Sequence, residues 1–297
     1  MKFPRERKED LPVVAICYDF DKTLSPDDMQ AQGFIQSVGF DVARFWEESD
    51  GFAVAHDMDQ NLAYMYKMVQ EAEGHFVFSR AALMDYGAKV ALFPGVNEWF
   101  DRMRRFGEQN GVIVEHYIIS SGLREMIEGT EPAKHGAFKK IYASSFCYNE
   151  RGIAIWPAQM INFTNKTQFL FRIEKGILDV NDPGVNEYFP PDKLRVPFRN
   201  MIYIGDSDTD IPCMKLVNTY GGFSIGVYDP ENGSREKVYR MMRENRIRYF
   251  APADYREGSR LDGLVKDIVL CAAAREKVEN AHNAAALETE NGEQTPC

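Results

Sequence analysis

No apolar run in the sequence approaches the length of a membrane-spanning helix. Cysteine is sparse and scattered: Cys17, Cys147, Cys213, Cys271 and Cys297 form no CxxC pair and suggest no partners for one another. Neither a disulfide framework nor a cysteine-based zinc site is indicated. The five histidines show no metal-ligand spacing either. P-loop, G-x-G-x-x-G and G-x-S-x-G patterns are all missing, which removes the enzyme classes built on them. Positive charge is in deficit, with 35 Lys and Arg against 45 Asp and Glu and a formal net charge of -10. Nucleic acid and anionic membranes are therefore poor partners, although a local basic pocket for a small anion stays open. The opening MKFPRERKEDLP is charged and lacks the apolar segment of a signal peptide, so a cytoplasmic location is expected.

What remains is an ordinary globular composition, 44% hydrophobic and 27% charged over 297 residues, enough for a sizeable core in one or two domains. The chain is organised around Val13-Val14-Ala15-Ile16-Cys17-Tyr18-Asp19-Phe20-Asp21-Lys22-Thr23. Its first half is apolar and rich in β-branched and aromatic residues, and two acids then end it abruptly. That reads as a buried strand with carboxylates at its C-terminal tip, where open parallel sheets bind ligands. Asp19 and Asp21 are two apart and repel unless a cation or a shared proton intervenes. A hard cation such as Mg²⁺ suits such oxygen ligands; an Asx-type turn is the plainer alternative.

After Thr23 the pattern is helical for about sixty residues. Asp27 and Asp28 can cap a helix through about Val38, and Asp41 can cap another through Glu48. Asp57 or Asp59 opens a longer one with a stripe at Leu62, Met65, Tyr66 and Val69, and a fourth spans about 79–90. Strands then return at about 112–120, 140–145, 201–205, 223–227 and 248–251, with a hairpin over 146–155. Helices separate them, and the last covers about 261–278. Residues 179–199 read as a long excursion, and those beyond Ala284 as disordered. This alternation means an α/β parallel sheet carrying an all-helical insertion.

Three further places carry chemistry. Ser120, Ser121 and Gly122 end a strand before a helix, where a hydroxyl and free amides can bind an anion or simply cap the helix. Lys166 starts a helix, the wrong end for a cation, which makes a phosphate partner credible beside the plainer solvated lysine. The run Asp206, Asp208, Asp210 fails as a calcium loop, because Ile211 and Val217 stand where Gly and Glu are needed.

DFDKT at 19–23, the strand ending in Ser120, Lys166 and IGDSDTD at 204–210 occur in the order of four motifs of the haloacid dehalogenase (HAD) superfamily. The chain resembles that superfamily over about 11–270, most closely its phosphoserine-phosphatase-like branch. The resemblance implies a Rossmann-like parallel sheet, with a discontinuous core of residues 1–25 and 90–270 and a helical cap of residues 26–89. Residues 271–297 would be the end of a helix and a tail. It implies that Asp19 attacks phosphorus to form an aspartyl-phosphate, and that Asp21 serves as general acid and then base. Mg²⁺ would be held by Asp19, the Phe20 carbonyl, Asp21 and Asp206, with Asp210 in or behind the first shell. Lys166, Ser120, Ser121 and Gly122 would hold the phosphate, Thr23 would position the loop, and Asp28 would face the substrate. No role is implied for Asp208.

The implied activity is a magnesium-dependent phosphatase acting on a small phosphorylated metabolite, as a monomer or homodimer, with no nucleic acid or membrane partner. Phosphotransferase, dehalogenase, phosphonatase and non-catalytic phospholigand-binding readings stand beside it. Asp21 favours phosphatase or phosphotransferase. The cap shows no match for the arginine that binds the substrate carboxylate in phosphoserine phosphatases. The insertion is expected to be a mobile lid hinged at Ser25-Pro26 and 92–95, with Asp28, Gln30 and Gln32 facing the substrate.

Overall fold

A computed structural model describes residues 3–292. Seven strands form one sheet in the order β4-β3-β2-β1-β5-β6-β7: β1 Val13–Tyr18, β2 Ile113–Leu123, β3 Lys140–Tyr148, β4 Ala154–Gln159, β5 Met201–Gly205, β6 Phe223–Tyr228 and β7 Tyr249–Pro252. All pairings are parallel except β3 with β4, the hairpin expected from the sequence. The helices are α1 Phe34–Ser37, α2 Val42–Ala55, α3 Gln60–Ala72, α4 Arg80–Gly87, α5 Val96–Gln109, α6 Arg124–Gly129, α7 Glu131–Lys134, α8 Thr167–Lys175, α9 Ile211–Thr219, α10 Glu236–Arg243 and α11 Arg260–Gly292. Among the described residues, no helix is long and apolar enough to cross a membrane.

β1 lies at the centre, and all six of its residues are buried. Alternate side chains leave opposite faces. Val14, Ile16 and Tyr18 join one apolar cluster, while Val13, Ala15 and Cys17 join the other. A strand covered on both sides must be continuously apolar, as this one is. Its last residue is pinned by polar contacts. The Tyr18 hydroxyl accepts from Trp99 Nε1 at 2.7 Å and lies 2.9 Å from His116 Nδ1. His116 Nε2 is 3.1 Å from the Phe100 carbonyl, which can only accept. Nε2 therefore carries the proton, and Tyr18 donates to Nδ1. Burial, followed by nearby Arg104, pushes the His116 pKa down to about 3.

The insertion after β1 is helical and differs in detail from its sequence pattern. The expected helix over 27–38 breaks into a 3-10 turn, Met29–Ala31, and the short α1, interrupted at Gly33 with φ 140°. Asp41, Asp59 and Ser79 cap α2, α3 and α4 by accepting from Arg44, Asn61 and Ala82 amides. α2 runs on to Ala55 instead of stopping at Glu48. The buried face of α3 is Asn61, Tyr64, Met65, Met68 and Ala72, whereas Tyr66 and Val69 are exposed. Hydrophobicity there misplaced the face, because Tyr64 and Met68 also fit a helical stripe.

The insertion packs directly on the core. Phe34, Phe45, Met65, Phe78 and Leu83 belong to the same apolar cluster as Val14, Ile16 and Tyr18. α4 meets α6 backbone to backbone: a Cβ on Gly87 would collide with the Met126 carbonyl, and one on Gly129 with the Met84 carbonyl. The Phe78 carbonyl accepts from Ala154 N at 3.0 Å, and Arg80 N donates to the Gly152 carbonyl at 3.0 Å. Gln32 spans both connections. Its Nε2 donates to Ser25 Oγ at 2.7 Å, and its Oε1 accepts from Ala91 N at 2.8 Å. Gln32 is thus a clasp at the neck rather than a substrate-facing side chain.

The excursion over 179–199 holds three 3-10 turns. It is anchored where the Arg195 guanidinium forks onto both oxygens of Glu115, at 2.8 Å each. At the other end, α11 continues to Gly292, so residues 285–292 are helical rather than disordered. The three alanines Ala284 to Ala286 have the highest helix propensity of any residue and carry the helix on. The rest of the expected tail, 293–297, lies outside the described residues.

Candidate active site

The site gathers at the C-terminal tips of β1, β2 and β5. Asp19 follows β1 and is buried, with its amide donating to the Ile204 carbonyl at 2.9 Å. Asp206 follows β5, and Asp210 closes the 3-10 turn Asp208–Asp210. One carboxylate oxygen from each of Asp19, Asp206 and Asp210 lies within 4.8 Å of the others. Three anions this close, out of water, resist ionisation. Burial, then Asp210, raises the Asp19 pKa to about 7, and burial, then Asp210, raises Asp206 to about 6. The donor set is entirely oxygen and anionic, which fits a hard divalent cation such as Mg²⁺.

Lys166 is fully buried among these acids. Its Nζ is 2.8 Å from Asp210 Oδ1 and 3.3 Å from Asp19 Oδ2. Burial alone would lower its pKa, but Asp19 and Asp210 together raise it, so the ammonium stays charged. The cation at the start of α8 is compensated by carboxylates and not by the helix. Asp210 is saturated. Its Oδ1 also accepts from the Tyr203 hydroxyl at 2.9 Å, and its Oδ2 accepts from Ser207 N at 3.1 Å and Ser207 Oγ at 2.9 Å.

Asp21 lies outside the cluster of three, although the motif offered it as a metal ligand. Its Oδ1 accepts from Met29 N at 2.8 Å, at the first turn of the insertion. Burial, followed by Asp28 and Asp19, raises its pKa well above the carboxylate range, so the carboxyl holds its proton. The Phe20 carbonyl is also corrected as a ligand, because the turn consumes it. It accepts from Thr23 N at 3.2 Å, Leu24 N at 2.8 Å and Ser25 N at 3.1 Å. Lys22 takes the left-handed conformation, φ 57°, as the chain turns away.

The Ser120 loop comes close from the other side. A Cβ on Gly122 would press on Met29 Cε and sit 2.9 Å from Asp21 Oδ2, so a larger residue there would displace the Met29 and Asp21 side chains. The Gly122 amide donates to Ser120 Oγ at 3.1 Å and is not free for an anion, but it leaves the Ser120 hydroxyl hydrogen available. The Oγ atoms of Ser121 and Thr23 are buried without a hydrogen-bond partner among the described residues. Asp28 makes no capping bond and joins no cluster; it pairs with Lys22 at 2.8 Å. Asp208 is mostly exposed and points to Arg240 at 3.5 Å.

Three contacts escaped sequence reasoning. Tyr64 of α3 donates to the Ser121 carbonyl at 2.8 Å, Tyr203 holds Asp210, and the Met29 amide holds Asp21. Tyr64 lies off the stripe expected for α3, Tyr203 sits within an apolar strand, and a backbone amide has no sequence signal.

The haloacid dehalogenase-like hydrolase family matches residues 16–215, spanning Asp19, Ser120, Lys166 and Asp206 together. The chain belongs to this family. A relative in sequence is an uncharacterized protein of Borreliella burgdorferi, 27% identical over 274 residues, 84% of this chain and 94% of that one. In structure, the chain is similar to a probable phosphoserine phosphatase from Vibrio cholerae, solved unliganded. The TM-score is 0.54 at 13% identity, covering 91% of this chain and 69% of that one. It is also similar to a HAD family hydrolase from Salmonella enterica serovar Typhi, with TM-score 0.52 at 16% identity, covering 82% and 69%. These likenesses establish the haloacid dehalogenase-like fold.

Proposed function

We propose that this hydrolase is a magnesium-dependent phosphatase that cleaves a small phosphorylated metabolite through an aspartyl-phosphate on Asp19. The observation that carries the reading is the contrast between two neighbouring carboxyl groups. Asp19 lies 3.3 Å from the Lys166 ammonium, while Asp21 is held apart from the acid cluster by the Met29 amide with its proton retained. One is set up as a nucleophile and the other as an acid.

In this reading Asp19 Oδ attacks phosphorus, and the Asp21 carboxyl protonates the leaving oxygen. The resulting Asp21 carboxylate then takes a proton from the water that hydrolyses the acyl phosphate. Lys166 and the Ser120 hydroxyl neutralise the equatorial oxygens, and the unpartnered Ser121 and Thr23 hydroxyls line the same loops. Asp19 and Asp206 would hold the metal. Asp210 stands behind them and orients Lys166. When bound there, magnesium would offset the repulsion between an anionic nucleophile and an anionic phosphate. We assign residues 1–25 and 90–270 to the catalytic core and 26–89 to a cap that limits substrate size.

The test is phosphate release across a set of phosphorylated metabolites, with and without Mg²⁺, against an Asp19→Asn control. Release that needs neither Mg²⁺ nor Asp19 would overturn the reading. Adding alcohols as acceptors distinguishes transfer from hydrolysis.

A further inference from the structure

Beside the acid cluster lies a cavity of about 260 Å³ whose lining includes Asp206 but no residue of the Ser120 loop. Lys22 and Lys237 bring two cations to it. Lys237 Nζ is 3.6 Å from Asp206, beyond hydrogen-bond distance, and donates to no protein group among the described residues. Lys22 gives one hydrogen bond, to Asp28. Ser234 Oγ accepts from Glu236 N at 3.1 Å and keeps its own hydrogen to donate. The second carboxylate of the lining, Asp229, is turned into its own loop, accepting from Glu231 N at 2.8 Å and Asn232 N at 3.2 Å. Phe93, Val227 and Val238 supply an apolar wall. The cavity thus offers unspent cationic donors beside a short hydrocarbon surface, next to where phosphate chemistry is placed.

We propose that this cavity receives the leaving-group end of the substrate and that Lys237, with Lys22, binds a second anionic group there. The inference rests on the phosphatase reading and names its substrate class: a small phosphomonoester carrying a carboxylate or a second phosphate. A cavity of this size takes a skeleton of a few carbons with its anionic group at Lys237. Lys237 sits in α10, away from Asp19, Asp21 and Lys166 in sequence and in the mechanism. It is a specificity residue and takes no part in bond making.

The experiment compares three esters on one carbon skeleton: glycerol 3-phosphate, 3-phosphoglycerate and propane-1,3-diol bisphosphate, with p-nitrophenyl phosphate as a reference. The wild type should favour a two-anion ester over glycerol 3-phosphate, and the arm it favours identifies carboxylate or phosphate. Lys237→Ala should raise KM for that ester about tenfold at unchanged kcat, as loss of one charge-assisted hydrogen bond implies. It should leave glycerol 3-phosphate and p-nitrophenyl phosphate alone, and Lys237→Arg should keep most of the preference. Equal treatment of all esters by the wild type, or equal losses on all of them in Lys237→Ala, overturns the inference and leaves the phosphatase reading standing. If no ester is turned over, that reading fails, and calorimetric titration of 3-phosphoglycerate and of the bisphosphate decides the site alone. Binding of either, weakened about tenfold by Lys237→Ala, upholds it; no binding, or equal binding, overturns it.

Discussion

The backbone amide of Met29 donates to the Asp21 carboxyl oxygen Oδ1 across 2.8 Å, so the first turn of the insertion holds the residue assigned as general acid. The geometry of that proton donor therefore depends on the insertion as well as on the sheet. Asp21→Asn should fold normally and lose about 10² to 10⁴-fold in turnover, the usual contribution of general acid–base catalysis. Phosphate release within a few fold of wild type would remove Asp21 from the mechanism.

Asp19→Asn is expected to abolish turnover. The amide is nearly isosteric but cannot attack phosphorus, and it also removes one carboxylate from a crowded cluster. The variant should melt no lower than wild type without metal. Acid-quench trapping with a ³²P-labelled substrate should label wild type and not the variant. Equal labelling would place the nucleophile elsewhere.

Magnesium should stabilise the protein by relieving the repulsion among Asp19, Asp206 and Asp210. At a hundred times its Kd, a ligand bound only by the folded state contributes about 2.7 kcal/mol, a rise of several degrees in Tm. Asp206→Asn should lose most of that rise, while Asp208→Asn, an exposed site, should keep it. Equal shifts in both variants would remove Asp206 as a ligand.

Gly129→Ala should be among the most damaging single methyl additions, because the new Cβ meets the Met84 carbonyl and not a side chain that can move. Overpacking of this kind costs about 1–3 kcal/mol, occasionally more. Urea unfolding that shows a loss under 1 kcal/mol would mean α4 and α6 separate easily.

His116 gives a pH signature. Its folded-state pKa is about 3 against an ordinary 6.5, so above pH 6.5 neither state is protonated and its full contribution is present. As pH falls below 6.5 the unfolded chain takes up a proton that the folded chain refuses. Stability then drops by up to about 1.4 kcal/mol per pH unit until pH approaches 3. His116→Gln should unfold more easily at pH 7, yet lose less than wild type between pH 7 and 5. Identical losses would mean His116 is not buried neutral.

The strand positions and the acids at their tips were legible because they obey strong local rules. A doubly covered parallel strand has to be apolar throughout, and carboxylates cannot continue it. Asp19, Ser120, Lys166 and Asp206 could be placed at element ends for that reason. The rest depended on contacts between distant segments. Nothing in DFDKT tells that the Phe20 carbonyl closes a turn, nor that Asp21 is met by an amide eight residues on. The helix expected over 27–38 failed at a single glycine, and the α3 stripe failed because two stripes were equally apolar. The solvated alternative for Lys166 does not hold, because the side chain is fully buried against two carboxylates.

The clasp made by Gln32 closes the insertion into a loop whose two ends meet beside Ser25 and Ala91. The entropy of closing such a loop grows only logarithmically with its length, by about 0.6 kcal/mol for each doubling. With its neck fixed, the segment between those two points can lengthen or shorten at little thermodynamic penalty to the sheet. Change in the insertion is then limited by the contacts its helices make with the core, at Gly87 and Gly129 and from Tyr64 to Ser121, more than by chain length.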